Sequence, residues 1–182
     1  MKKITVFLLA FFMLFKCVEQ HKDYTDSIQL FRNNYVQHHE LIKGADKKKL
    51  NFYPISQSYA IKAKFEQVYS SSWFQMETSG KIKQTHRLYG TLFFSVNDTV
   101  VKLSVYQSQR LMNVKQYADY LFVPFTDATT GETTYENGRY IDLKFEDIKN
   151  NSCIIDFNKA YNPYCAYSTG YNCPIPPREN YL

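Results

Sequence analysis

The sequence predicts a mainly-β fold: an antiparallel sandwich or barrel of short strands with one N-terminal helix. Apolar and polar residues alternate in run after run between residues 59 and 157. Asn97-Asp98, Thr130-Gly131 and Asn137-Gly138 punctuate these runs as turns. Aromatic residues make up 17% of the chain, 16 Tyr and 14 Phe against a single Trp. Such rings suit the half-buried surface of a pleated sheet.

The chain has 182 residues, which suits one domain plus an export segment. Hydrophobic residues at 45% and charged residues at 21% rule against wholesale disorder.

The N-terminus carries the export signature. Met1-Lys2-Lys3 is a basic start, and Ile4 to Phe15 is an unbroken apolar run. That run is shorter than the roughly 20 residues that span a bilayer, but it fits the core of a signal peptide. Residues 1–16 are therefore expected to be a signal peptide. Cys17 follows at once, where a bacterial lipoprotein places the cysteine that becomes lipidated. Leu14-Phe15-Lys16 departs from the small residue usual at that point. Ordinary cleavage nearby, with Cys17 incidental, is the alternative. The expectation is a protein exported to the periplasm or cell surface and held on a bacterial membrane by a lipid on Cys17. Residues 17–23 form the tether and 24–182 a single β-rich domain. No other segment is apolar enough to cross a membrane.

The formal charge is +5, and Lys2, Lys3 and Lys16 belong to the export segment. Without them, 22 basic residues become 19 against 17 acidic ones, a net +2. A nearly neutral body argues against nucleic acid as a partner. The Lys47-Lys48-Lys49 run reads as a solvated loop.

Residues 24–43 are predicted to be helical, with Ile28, Phe31, Tyr35 and Ile42 on one stripe and Gly44 as the stop. His38 and His39 are adjacent, so they point about 100° apart on a helix and do not chelate one metal. Both are expected at the surface. From Tyr59 the period becomes two. Tyr59, Ile61, Ala63 and Phe65 form one run, and Leu88, Gly90, Leu92, Phe94 and Val96 form another. Thr99, Val101, Leu103 and Val105 complete a hairpin across Asn97-Asp98. Leu121, Val123 and Phe125 begin a strand in which Pro124 implies an edge or an end. Ile141, Leu143 and Phe145 alternate again, and Cys153 to Phe157 is a short apolar strand. Residues 70–80 read as a loop, with Trp73 either in core packing or lining a pocket.

Chemistry-bearing residues concentrate in 125–180, in the stretches PFTDATTGETTYENGRY, DFNKAYNPYCAY and CPIPPREN. These stretches, with the segment from Phe52-Tyr53-Pro54 to Phe65, resemble a family of prokaryotic proteins catalogued only as a domain of unknown function. The resemblance covers about residues 28–182. It implies no established activity, only that the motif positions act together.

Read physically, Asp156-Phe157-Asn158 ends a buried strand, and Asn162-Pro163 favours a turn. One reading has Arg139 clamping Asp156 as a bidentate pair that locks the loop. The other has Arg139, Asp156, Asn158 and Asn162 lining a pocket for a small polar ligand, walled by Tyr140 and Tyr161. Cys165 and Cys173 are candidates for a disulfide, with unpaired thiols, a metal ligand or a nucleophile as alternatives. A nucleophilic cysteine would need a histidine, and His86 alone lies outside the N-terminal region. Cys153 sits in an apolar strand and is expected to be buried and free. Asp127, Asp142, Asp156 and Glu179 are the carboxylates available for hydrolysis, but no spacing marks an established pair. No phosphate loop, HExxH or GxSxG is present, and neither a metal nor a cofactor is implied. Three functions remain: a non-catalytic ligand-binding or accessory domain, a hydrolase using the Asp127 and Asp156 region, and a purely structural interaction domain.

Overall fold

The structure is a computed structural model, and it describes residues 22–182. The expected signal peptide, Cys17 and most of the tether lie outside the described residues. The chain divides into two compact units, one ending at Tyr59 and the other running from Ala60 to Leu182. Among the described residues, no helix is long and apolar enough to cross a membrane.

The first unit contains helix α1, residues 22–38. Its inward stripe is Ile28, Arg32, Tyr35 and then His39 just past its end, in place of the apolar stripe expected. Phe31 is exposed. Arg32 tolerates burial because its guanidinium lies over the Phe52 ring at 4.8 Å and donates to the Tyr53 carbonyl at 2.8 Å. His38 is exposed as expected, but His39 is only 4% exposed. His39 Nδ1 accepts the Ile42 N–H at 3.0 Å, satisfying a donor where the helix has stopped. Burial, with Lys43 next in effect, lowers the pKa of this imidazole. The lysine run falls in a 3₁₀ helix, Gly44–Lys49, where a loop was expected; Lys48 and Lys49 are exposed and Lys47 is half-buried.

The second unit is built on one antiparallel sheet of seven strands. They are β1 (Ala60–Gln67), β2 (Phe74–Met76), β3 (Gln84–Val96), β4 (Thr99–Ser108), β5 (Tyr120–Phe125), β6 (Arg139–Lys144) and β7 (Ser152–Asp156). Their spatial order is β6-β5-β4-β3-β1-β7, with β2 also paired to β3. The mainly-β prediction is realised as a single sheet curled into a half-barrel. Only β2 falls in a stretch read as loop. Asn97 and Asp98 have φ of +47° and +61°, the backbone of a two-residue hairpin turn.

The sheet has two different faces. One carries the main core, including Phe65, Leu92, Leu103, Val105, Leu121, Val123, Ile141 and Ile155. The other carries Met76, Tyr106, Phe122 and Tyr140, with Leu88, Tyr120 and Tyr161 against them. Alternation alone puts Leu88 and Leu92 on the same face, and the structure separates them. The β3–β4 register shifts between Leu88 and Gly90, so Leu88 opposes Tyr106 while Gly90 opposes Val105. This bulge turns Tyr89 and everything beyond it over. Gly90 has no room for a side chain, since a Cβ there would stand 2.3 Å from the Phe65 ring.

Pro124 is not on an edge strand, because β5 lies between β4 and β6, but it stands next to last in β5, at the strand end that the sequence also allowed. The reason is local. Only Tyr106 and Phe122 are paired between β4 and β5. The Pro124 carbonyl accepts Asn180 Nδ2 at 2.6 Å. A strand residue directs its N–H and C=O to the same side, so the missing Pro124 donor faces the Asn180 amide and not a ladder partner. Asn180 Nδ2 also donates to the Ser104 carbonyl at 2.9 Å, and its Oδ1 accepts the Ser104 N–H at 2.8 Å. Asn180 is fully buried. Its carboxamide therefore stands in for the backbone that β4 and β5 no longer offer each other. Backbone bonds from Thr126 to Asn180 and from Leu182 to Thr126 extend the seam.

Asn180→Ala should lower unfolding free energy by about 2–4 kcal/mol, because it strands buried backbone groups. Asn180→Asp should be at least as damaging, since a carboxylate accepts from Ser104 but cannot donate to either carbonyl. Urea denaturation of both variants checks this; a loss below about 1 kcal/mol in each would contradict the seam role.

Candidate functional site

Arg139 opens β6, and its ion pair is with Asp127 at 2.6 Å, where the sequence pointed to Asp156. Asp127 Oδ1 accepts the Thr129 N–H at 2.9 Å and its hydroxyl at 2.5 Å. The guanidinium lies over the Phe125 ring at 5.1 Å. Gly138, one residue before, has φ of +83°, and a Cβ there would sit 2.5 Å from the Phe125 carbonyl oxygen. Arg139 thus closes the turn between β5 and β6 around a glycine that nothing larger replaces.

Asp156 ends β7 and is buried. Its Oδ1 accepts the Asn158 backbone N–H at 3.0 Å and Asn158 Nδ2 at 2.9 Å, capping the 3₁₀ turn Phe157–Lys159. Asn158 is buried, and half-buried Asn162 donates to the Tyr167 hydroxyl at 3.4 Å. Cys165 and Cys173 are joined by a disulfide. The Cys173 carbonyl accepts the Ser79 N–H at 2.9 Å, which fastens this loop to the β2–β3 connection. Cys153 is buried and free, and burial pushes its thiol up to about 11.

The structure gathers a different set on the second face of the sheet. Phe122 opposes Asp142 across the β5–β6 ladder, Tyr120 opposes Lys144, and Pro124 opposes Tyr140. Tyr140 and Tyr161 exchange backbone hydrogen bonds at 2.9 and 3.0 Å, so Tyr161 extends the sheet past β6. The Tyr120 and Tyr161 hydroxyls both donate to Asp142 Oδ1, each at 2.7 Å. The Tyr140 ring stands edge-on to Phe122 at 4.7 Å and to Tyr161 at 5.8 Å. Tyr140's own hydroxyl donates to the Pro174 carbonyl. Water reaches Asp142, yet the surroundings are crowded, and the resulting desolvation raises its carboxyl above the usual range against the pull of the two phenols. Desolvation, with Asp142's charge next, raises the Tyr120 and Tyr161 phenols well above their ordinary value. The arrangement is a solvent-open carboxylate in an aromatic frame.

Of the predicted ligand residues, Tyr140 and Tyr161 belong to this frame. Arg139, Asp156 and Asn158 hold turns. Sequence reading named Asp142 only as one carboxylate among four and missed Tyr120. The signal was present in the alternation: Tyr140 and Asp142 share one parity, and so do Tyr120 and Phe122. What the sequence lacks is the register that brings the two strands together.

A cavity of about 550 Å³ opens between β1, β3 and β7, lined by residues such as Lys62, Lys64, Phe93, Ser95 and Ser152. None of the predicted site residues lines it. Among the described residues, no group of three His, Cys, Asp or Glu is placed to hold a metal ion. The other carboxylates serve separate neighbours: Asp127 pairs with Arg139, and Glu179 accepts the Tyr106 hydroxyl at 3.0 Å.

These features define a mainly-β protein of one antiparallel sheet with an aromatic second face that carries Asp142. The chain belongs to the family described as protein of unknown function (DUF1684), whose sequence model matches residues 46–182. It is also similar to the solution NMR structure of an uncharacterized protein of Haloarcula marismortui. The two are 27% identical with a TM-score of 0.68, over 90% of this chain and 91% of that one. Comparison with curated proteins finds no match.

His86 borders the second face, its ring 5.8 Å from that of Phe122. It is 2% exposed, and its Nδ1 lies 3.2 Å from the Gln84 carbonyl and so carries the proton. Burial lowers its pKa below 6.5; the Gln84 carbonyl opposes this, and the Arg110 charge reinforces it. The unfolded chain therefore binds this proton more readily than the folded one. Stability held above pH ~6.5 is lost as pH falls below it, until the lowered native pKa is reached. Between pH 7.5 and 5.5, wild type should lose about 1 kcal/mol more than His86→Gln, read from urea midpoints at each pH. Parallel curves for the two proteins would show that His86 titrates alike in both states.

Proposed function

We propose that the protein is exported, held on a bacterial membrane by a lipid on Cys17, and serves there as a non-catalytic domain that binds a small polar ligand. The single observation that carries the binding reading is Asp142. Its Oδ1 is held by two phenol hydroxyls while the side chain stays open to solvent. A fold that spends two buried-side tyrosines on orienting an accessible carboxylate has prepared a contact point. The separate engagements of Asp127, Asp156 and Glu179 favour binding over hydrolysis of the kind that sets two carboxylates about one glycosidic bond. Export and anchoring are supported by the N-terminal sequence: a basic start, an apolar run and Cys17 at its end.

Two measurements test this. In a bacterial host fed an alkyne-tagged fatty acid, the wild-type chain should take up label in the membrane fraction and Cys17→Ser should not. Equal labelling of both removes the anchor. Thermal-shift screening of the purified protein against small polar metabolites should yield ligands that raise the melting temperature of wild type but not of Asp142→Asn. Hits that act equally on both would place binding away from this face.

A further inference from the structure

β1 and β3 part company in the middle of the sheet, and we infer that the wedge between them binds a small organic anion. The inference stands apart from the reading of Asp142, whose strand is separated from β3 by β4 and β5. The wedge has a cause in the register. β1 pairs with β3 only from Lys64–Phe93 to Gln67–Gly90. Toward its start β1 stays with β7, Lys62 opposite Ile154, and toward its end β3 stays with β4, Ser95 opposite Val100. The cavity of about 550 Å³ is lined by these diverging segments. Backbone directions alternate along a strand, and the Phe65 N–H goes to the Asn151 carbonyl on the β7 side. Lys62 and Lys64 therefore turn their backbone groups toward β3. Lys64 meets Phe93 there, but the next pair, Lys62 with Ser95, is missing from the ladder. Two N–H donors and two carbonyls are left on the walls of the wedge.

The side chains make it a place for negative charge. Lys62 lines it, is exposed, and has no hydrogen bond or ion pair among the described residues. Lys64 lines it too, 2.6 Å from Glu66. Among the described residues no carboxylate lines the cavity, while Ser95 and Ser152 bring hydroxyls and Asn151 an amide. The two backbone carbonyls are neutral and do not offset the Lys62 ammonium. Half-buried Phe93 gives an apolar wall, in a cross-strand row between Lys64 and Lys102. A cation would meet like charge here, a neutral molecule would leave the ammonium unused, and a bare inorganic ion would leave the ring unused. An organic anion uses both, its head on Lys62 and the donors around it and its carbon body on Phe93. The volume lies within the roughly 300–1,000 Å³ usual for small-molecule sites.

The test titrates benzoate, phenyl phosphate, neutral benzamide and inorganic phosphate into the full chain in phosphatidylcholine nanodiscs. The amide signals of Lys62 and Ser95 are followed by NMR. Benzoate and phenyl phosphate should shift both signals saturably, inorganic phosphate more weakly, and benzamide not at all. Lys62→Gln should weaken the response to phenyl phosphate by at least about fivefold, and Lys81→Gln, at an exposed lysine between β2 and β3, should leave it unchanged. Benzamide acting as well as benzoate, or Lys62→Gln responding like wild type, overturns the anion class. Inorganic phosphate acting as well as phenyl phosphate overturns the role of the carbon body, and silence with all four overturns the site. Exchange of the disc lipid for phosphatidylglycerol, with no ligand added, should leave both signals in place. If they move instead, lipid headgroups fill the wedge and the free organic anion is overturned.

Discussion

The buried amide of Asn180 closes the one place where the sheet does not close itself. Beyond the Tyr106–Phe122 pair, β4 and β5 share no ladder, and Pro124 has no donor to offer. A side-chain amide has a donor and an acceptor in the same plane as a peptide, so it can meet the Ser104 N–H, the Ser104 carbonyl and the Pro124 carbonyl together. Left unmet, those groups would be polar atoms stranded beside the main core. The C-terminal segment is thus part of the sheet's hydrogen bonding. It also reaches the second face, through Glu179 on the Tyr106 hydroxyl and through Pro174, whose carbonyl receives Tyr140. The same seam that holds β4 to β5 therefore supports the strands that carry Asp142.

The bulge at Tyr89 divides labour between the faces. Without it, β3 would send Leu88 into the same core as Leu92, and the second face would lose its contact with Tyr106. With it, the main core collects the aliphatic residues together with Phe65, Phe94 and Phe125, while the second face is left mostly to tyrosines and polar groups. Tyr89 itself stacks on Phe145 at 5.1 Å, and Phe65 lies against Gly90, so the extra residue is packed on both sides.

The motif around Arg139 and Asp156 shows how dense polar sequence can serve architecture. Asp127, Thr129 and Arg139 close one turn, and Asp156 with Asn158 closes another. Each turn satisfies backbone donors that a buried corner would otherwise strand. The residue that faces solvent with charge to offer, Asp142, lies further along β6 itself, on the surface that it shares with Tyr120, Phe122 and Tyr140. Their motif signal is weak, because each is a single letter in an ordinary strand pattern.

Local chemistry alone determined most of the secondary structure. Period-two alternation placed β1 and β3 to β6, a short apolar run placed β7, Asn97-Asp98 placed the hairpin, and Gly138 placed the turn before β6. These depend on neighbours within a few residues, which a sequence displays directly. The N-terminal export reading is of the same kind, resting on composition over a short run. Only the tertiary structure decided where Pro124 sits in the sheet, which faces Leu88 and Leu92 take, which carboxylate Arg139 holds, and that His39 is buried. The seam and the second face depend on partners distant in sequence: Asn180 is 56 residues from Pro124, and Tyr161 is 19 from Asp142. Register between strands is set by packing and by bulges, and a shift of one residue exchanges the faces. That is why the alternation of β5 and β6 was legible while the aromatic frame around Asp142 was not.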